Sequence, residues 1–339
     1  MPTHIVQISD GATVRVAMVD EPHLHCLEKF SSTYELVQHC LGENASVEQQ
    51  VRAMATGERL SYDDVYFRRS RWRLLAPIHV PQEPSRLLIS GTGLTHMGSA
   101  RQRQAMHITD QASKPDEPMT DSMRMFQWGV QHGRPEEGAI GIAPEWFYKG
   151  NESDLRAPYE SLEIPSHAED GGEEAEIAGV YMISLDGQPC RIGMAQGNEF
   201  SDHKFEKRNY LNLAGSKLRS CSLGPELVVG GSFDDVPGRV TVFRAGAILW
   251  QKEIATGERN MCHSLVNIEH HHFKFAGHRR PGRVHVHFFG ADTLSFGEGI
   301  VLADGDEMEI SFDGFGRALR NGVRIDRNSN QLYRVRSLA

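Results

Sequence analysis

The sequence predicts a mostly β protein with a few helices and a small α/β segment at its N-terminus. Three observations carry this reading: short apolar runs broken by glycine after residue 140, a hairpin signal near residue 10, and two capped helical stretches soon after it. Within residues 3–20, "HIVQIS" and "TVRVAMV" read as strands joined at Asp10-Gly11, a turn dipeptide that tolerates the left-handed backbone of a tight hairpin. Residues 33–41 and 46–56 read as helices. Ser46 is placed to cap the second, Glu48 and Gln49 fill its first turn, and Gly57 stops it. Pro77, Pro81 and Pro84 then punctuate the chain, which puts a boundary near residue 80, with an α/β domain over 1–79 and a larger domain over 80–339. Residues 103–140 are mostly polar and read as loop and helix. Strands are expected at 139–143, 175–184, 189–194, 226–230, 238–245, 248–252, 285–290 and 307–312, and "FSDHKFEKRNYLNLAG" (200–215) as one helix. No internal repeat and no low-complexity tract interrupts this pattern.

Composition narrows the function classes. Of 339 residues, 39% are hydrophobic, enough for a large core. No apolar run approaches ~18 residues, so no membrane-spanning helix is expected. The N-terminus lacks a basic stretch followed by an apolar one, so no secretory signal is expected either. Five cysteines, odd in number and without a CxxC, suit reduced thiols and a cytoplasmic protein. The net charge of −9, with no Lys/Arg stripe among aromatics, argues against nucleic acid as a partner.

The chemistry concentrates in "GGEEAEIAGVYMISLDG" (171–187). Side chains of a strand alternate, so Glu174 and Glu176 share one face. Two carboxylates that close cannot cheaply both ionise, and a hard divalent cation removes the cost. A solvated strand end has the same pattern. Glu173, one step out of phase, is expected to point away and be dispensable. Some twenty residues on, "GNEFSDHKFEK" puts Glu199 between a Gly-Asn turn and a helix start. Glu174, Glu176 and Glu199 together offer the oxygen ligands of a Mg2+ or Mn2+ site with positions open for substrate. The 17 histidines include His285 and His287 on one face of a strand. With no HExxH and no cysteine at ligand spacing, they read as surface or supporting residues rather than zinc ligands. "SGTGLTHMGSARQRQ" (90–104) fits neither dinucleotide nor P-loop spacing, and no GxSxG elbow is present.

The order of the motifs resembles the fumarylacetoacetate hydrolase superfamily. "RWRLLAPI", a Pro-rich link and "RLLISGTGLTHMGSARQR" are similar to the entry of its catalytic domain. "PEWFYKG" (144–150) resembles its apolar strand ending in lysine, and "EEAEIAGVYMI" its metal-binding strand. "GNEFSDHKF" lies where the family supplies a third metal carboxylate, "SKLRSCSLGPELV" resembles its Lys-to-Gly-Pro segment, and "FFGADTLSFGEG" with the following 24 residues its terminal glycine loop and closing strands. The likeness spans roughly residues 70–325. It implies a mixed β-sandwich roll, Glu174, Glu176 and Glu199 as metal ligands, and Lys217 facing substrate, with Lys149 at the substrate carboxylate. Glu199 replaces the usual Asp, His96 falls where some hydrolases place a fourth carboxylate, and Arg101 and Arg103 fall among the hydrolase polar groups, including its base. Gly290-Ala291 replaces a substrate-binding Gly-Thr, with Thr293 as the nearest hydroxyl in that loop.

Those departures look like a subgroup tied to bacterial sugar-acid pathways of the arabinose and xylose type. The resemblance then implies a Mg2+- or Mn2+-dependent hydro-lyase acting on a small 2-oxo acid, converting a 2-keto-3-deoxypentonate to 2-oxoglutarate semialdehyde. Lys217 and His96 are its catalytic candidates, and Arg101, Arg103, Gly290 and Thr293 join Lys149 as substrate-binding ones. An arginine at 103 stays protonated and is a poor base, which weakens the alternative of a C–C hydrolase for acylpyruvates. A sugar-acid binder without catalysis is the remaining alternative. The family likeness also implies a homodimer.

Overall fold

The computed structural model describes residues 2–107 and 119–338. The stretch 108–118, part of the polar segment expected to be loop and helix, lies outside the described residues. Among the described residues two sheets dominate. One has 13 strands, and its main path runs from strand Arg59–Ser61 through the N-terminal hairpin, then Leu227–Val229, Pro189–Asn198, Ala175–Ile183, Val284–Phe288 and Leu87–Gly93 to Glu145–Asn151. The other has five strands, centred on Val236–Arg244 and Glu307–Phe312. The fold is thus mostly β with α.

The N-terminal hairpin and both expected helices form, although the second helix ends at Met54, before Gly57. Strands His23–Cys26 and Arg59–Ser61 and helix Tyr62–Tyr66 form where none was expected. Thr3–Ser9 and Val14–Asp20 pair antiparallel, with Ile5 opposite Met18. Helix Thr33–Gly42 is capped by Ser32, whose hydroxyl accepts from Glu35 N–H, and helix Val47–Met54 by Ser46, which accepts from Gln49 N–H. These strands do not form a sheet of their own. Thr3 lies opposite Val229, so the N-terminal segment extends the large sheet of the main body. Glu226 reinforces the join: it accepts from Tyr62 Oη at 2.8 Å and lies 2.7 Å from His4 Nδ1.

The central strand Ala175–Ile183 is buried along its whole length and has a different core on each face. Ala178, Val180 and Met182 pack with Leu36, Val37 and Val51 of the N-terminal helices. Ile177, Tyr181 and Ile183 pack with Val240, Ile254 and Ile310 of the second sheet. Burial on both faces explains why the strand reads as a continuous apolar run.

Several expectations are corrected. Residues 139–143 form no strand. Their backbone groups are taken elsewhere: Ile142 N–H donates to His132 C=O at 3.0 Å and Gly141 N–H to Asn267 Oδ1 at 3.2 Å. The strand starts at Glu145, after Pro144. The single helix expected at 200–215 is broken into His203–Arg208, a 3-10 turn at Tyr210–Asn212, and Leu213–Lys217. Asn209 is extended there and its side chain accepts from Leu211 N–H, the local competition that keeps Asn out of helix interiors. Strands Leu87–Gly93 and Leu319–Ile325 and helix Leu265–Phe273 also form where none was expected. His285 and His287 are fully buried, not on the surface. All five cysteines are free thiols. No helix among the described residues is long and apolar enough to cross a membrane.

Burial depresses the pKa of His96 and His263 to about 4 and of His285 and His287 to about 3, from 6.5. A depressed folded pKa means the unfolded chain binds the proton first. Stability contributed by these neutral imidazoles is therefore complete above pH 6.5 and lost as pH falls towards 4, by at most about 1.4 kcal/mol per pH unit for each. Urea midpoints measured in EDTA are expected to fall steeply between pH 6.5 and 5. A flat profile there would contradict the buried neutral assignment.

Candidate active site

Glu174 and Glu176 continue the face of Ala178 and Val180 at the entry of the central strand. Its partner Pro189–Asn198 runs antiparallel with Ala175 opposite Asn198. One step further out, Glu199 N–H donates to Glu174 C=O at 2.9 Å, which sets Glu199 directly across from Glu174 on that same face. One carboxylate oxygen from each of Glu174, Glu176 and Glu199 lies within 4.8 Å of the others, and all three residues are buried. Phe200 then takes a left-handed backbone (φ 50°), which turns the chain out of the strand.

Three like charges so placed require compensation. Lys217, fully buried, donates from Nζ to Glu174 Oε1 and Glu199 Oε2 at 2.5 Å each. Lys149, equally buried, donates to Phe200 C=O at 2.5 Å. Its Nζ also sits 2.7 Å from Glu199 Oε1, off the hydrogen-bond direction but close enough to balance charge. His203 Nε2 is 3.1 Å from Glu174 Oε1, and Arg103 Nη2 is 3.7 Å from its Oε2. Burial pushes the Glu174 pKa up, but Lys217 and His203 outweigh it and hold the carboxyl well below its usual range. Burial also lowers Lys217, and here Glu174 and Glu199 win, keeping the ammonium charged. Lys149 ends lowered, because burial outweighs Glu199.

Glu176 is the exception. It accepts from Gly290 N–H at 2.6 Å, while the lysines pair with Glu174 and Glu199. Burial, then Glu174, then Glu199 push its pKa well above the carboxylate range. An all-carboxylate donor set with one member short of positive charge fits a hard divalent cation.

An outer layer surrounds the trio. Arg103 Nη1 pairs with Glu145 Oε1 at 3.1 Å and Glu206 Oε1 at 3.0 Å, and Tyr210 Oη donates to Glu145 Oε2 at 2.5 Å. Burial lowers the Arg103 pKa, but Glu206 and Glu145 more than offset it, so the guanidinium stays charged. A Cβ at Gly93, opposite Glu145, would lie 1.8 Å from Glu145 Oε1, so only glycine leaves room for that carboxylate. Gly290 has φ 100°, and its Cβ would meet Thr95 Oγ1 at 2.0 Å.

Of the residues singled out in the sequence, Glu174, Glu176, Glu199, Lys217, Lys149, Arg103 and Gly290 come together here. His96 sits beside the Gly290 loop with both ring nitrogens engaged, Nδ1 2.8 Å from Thr95 Oγ1 and Nε2 3.1 Å from Thr256 Oγ1. Thr293 Oγ1 accepts from Gln102 Nε2 at 3.0 Å, and Arg101 is exposed on helix Met97–His107. Glu173 does face away from the trio, but it is buried and accepts from both N–H and Oγ of Ser295 at 2.7 Å. It anchors the terminal glycine loop through Ser295. Glu145, His203, Glu206 and Tyr210 were missed. Period two marks Glu145 with Phe147 and Lys149 on the buried face of one strand, and i,i+3 spacing puts His203 and Glu206 on one helix face.

No family model matches the chain, and no curated protein matches it. Solved structures do. A 2-keto-3-deoxy-D-arabinonate dehydratase complexed with magnesium and 2,5-dioxopentanoate aligns over 96% of this chain and 100% of its own, at 16% identity and TM-score 0.68. The chain has the fumarylacetoacetate hydrolase fold. A fumarylacetoacetate hydrolase from psychrophilic Exiguobacterium antarcticum aligns over 96% and 100% with 17% identity and TM-score 0.59. A 2-hydroxyhepta-2,4-diene-1,7-dioate isomerase from Mycobacterium marinum gives the same coverage and identity at TM-score 0.58. The carboxylate trio stands at the ends of two antiparallel strands of the large sheet, and Glu176 ties the Gly290 backbone to it.

Replacing Glu173 by Ala leaves the Ser295 N–H and hydroxyl buried without their acceptor. The expected loss is about 2–3 kcal/mol in urea unfolding, because a buried donor without a partner costs its full desolvation. Stability equal to wild type would show that the anchor is dispensable after all.

Proposed function

We propose that this protein is a divalent-metal-dependent hydro-lyase of the fumarylacetoacetate hydrolase superfamily that dehydrates 2-keto-3-deoxy sugar acids. The observation that carries the reading is the buried trio of Glu174, Glu176 and Glu199, with Glu176 short of positive charge. The higher TM-score to the dehydratase than to the hydrolase and the isomerase supports it. Mg2+ is the ion proposed, with Mn2+ the alternative of the same coordination chemistry. When bound by the three carboxylates, such an ion supplies Lewis-acid stabilisation of the enolate charge that develops at the keto oxygen.

The chain's own groups then have defined tasks. Lys217, kept protonated by Glu174 and Glu199, donates hydrogen bonds to the substrate's 2-oxo acid oxygens. Lys149 holds Glu199 in place through its ion pair, at 2.7 Å. Arg103 is charged and fixed between Glu145 and Glu206, so it orients Glu174 and takes no proton. His96, with both nitrogens bonded to threonine hydroxyls, positions the Gly290 loop. For a 2-keto-3-deoxypentonate, a proton leaves C3 and hydroxide leaves C4, together as water, which gives the C3=C4 enone. A proton then moves from C5 to C3, and the C4=C5 enol so formed tautomerises to 2-oxoglutarate semialdehyde. Acylpyruvate cleavage requires instead a base that activates water, a role closed to Arg103. A cytoplasmic homodimer belongs to the same proposal.

The test is an NMR panel of 2-keto-3-deoxy acids and acylpyruvates with Mg2+. Loss of the C4 hydroxyl is expected on the sugar acids, abolished by EDTA and restored by Mg2+. Cleavage of acylpyruvates alone would establish the hydrolase, and tight binding without turnover on the whole panel a binding protein. Glu176→Gln is expected to lower turnover at least about 100-fold, since metal stabilisation of charge is worth several kcal/mol. Undiminished Mg2+ binding in that variant would remove Glu176 from the ligand set.

A further inference from the structure

On the opposite face of the large sheet from Glu174 and Glu176, a second group of titratable side chains has no part in the chemistry above. His272 lies in the last turn of helix Leu265–Phe273, His278 in the 3-10 turn Ala276–Arg279, and His285 on strand Val284–Phe288. One ring nitrogen from each lies within 4.8 Å of the other two. Hydrogen bonding fixes two of the tautomers. His278 Nδ1 lies 2.7 Å from His272 C=O and His285 Nε2 lies 2.8 Å from His278 C=O. A carbonyl only accepts, so both nitrogens carry hydrogen and the opposite ones, His278 Nε2 and His285 Nδ1, present lone pairs. A backbone carbonyl on the remote nitrogen is the arrangement that orients metal-binding histidines and raises their basicity.

We propose that His272, His278 and His285 form a second metal site, for a borderline divalent ion of the Zn2+ class, with water completing the tetrahedron. Neutral imidazole nitrogens select such ions over Mg2+. Burial holds His272 and His285 neutral at pH 7, the ligating form. His278 is half-buried and gives the ion its path in. In the metal-free arrangement Trp146 Nε1–H donates to His272 Nδ1 at 3.2 Å, and His272 Nε2–H donates to His285 Nδ1 at 2.9 Å. Ligation through Nε2 moves that proton to Nδ1 and breaks the Trp146 bond. Trp146 is 38% exposed and can turn outward, so its indole reports on the site.

The experiment titrates Zn2+ into the EDTA-stripped, dialysed full-length protein with Mg2+ in excess, and measures bound zinc, melting temperature and tryptophan fluorescence. Wild type and Glu176→Gln are each expected to hold one Zn2+ per chain, with a raised melting temperature and a shift in emission that Trp146→Phe removes. His278→Gln, a change at a half-buried turn, is expected to keep its fold and lose the zinc and the thermal shift. Substituting Co2+ is expected to give the visible bands of tetrahedral nitrogen coordination in wild type and in Glu176→Gln, and not in His278→Gln. Equal zinc in His278→Gln and wild type, zinc lost with Glu176→Gln instead, or none bound by wild type would each overturn the proposal.

Discussion

Everything around the site follows from crowding three carboxylates where two antiparallel strands end. Glu174, Glu176 and Glu199 are buried, and a pair of strands leaves them no freedom to separate. Lys217 and Lys149 are present in the core because of them, and each lysine alone there would cost several kcal/mol of desolvation. The dependence runs both ways. It also reaches the backbone: Phe200 sits in a left-handed conformation whose carbonyl meets Lys149, and Gly93 carries no side chain because Glu145 needs the space. The site and the fold are in this sense one charge-balancing problem.

Much of this was legible along the chain, because its causes are local. Alternation at Glu174 and Glu176 is a property of any strand, and the caps at Ser32 and Ser46 are sequence-adjacent to the amides they satisfy. What stayed hidden depends on contacts far apart. Arg103 meets Glu145 and Glu206 across 42 and 103 residues, and no spacing rule connects them. Glu173 shows the limit of a correct local argument: it does point away from its neighbours, yet the space it points into is filled by Ser295, 122 residues on. Residues 139–143 alternate like a strand, but the ends of two helices claim their backbone hydrogen bonds first.

The histidines make the same point from the other side. His285 and His287 were legible as a same-face pair, and their burial was not, because it is supplied by helix Leu265–Phe273 and by strand Leu87–Gly93, whose Ser90 and Thr92 hydroxyls satisfy His287 at 2.9 and 2.8 Å. One sheet thus separates two polar clusters of opposite character, hard oxygen donors on one face and neutral nitrogen donors on the other. Strand Val284–Phe288 is adjacent to the carboxylate strand, so a change in register between the two would disturb both at once.

The pairing of Thr3–Ser9 with Leu227–Val229 has a consequence for any shortened version of the chain. Cutting away the N-terminal segment does not free a self-contained sheet. It strips a neighbour from a buried strand and exposes a row of unpaired amides and carbonyls, the geometry that invites another chain to add on. The N-terminal strand therefore acts as an edge cover for Leu227–Val229.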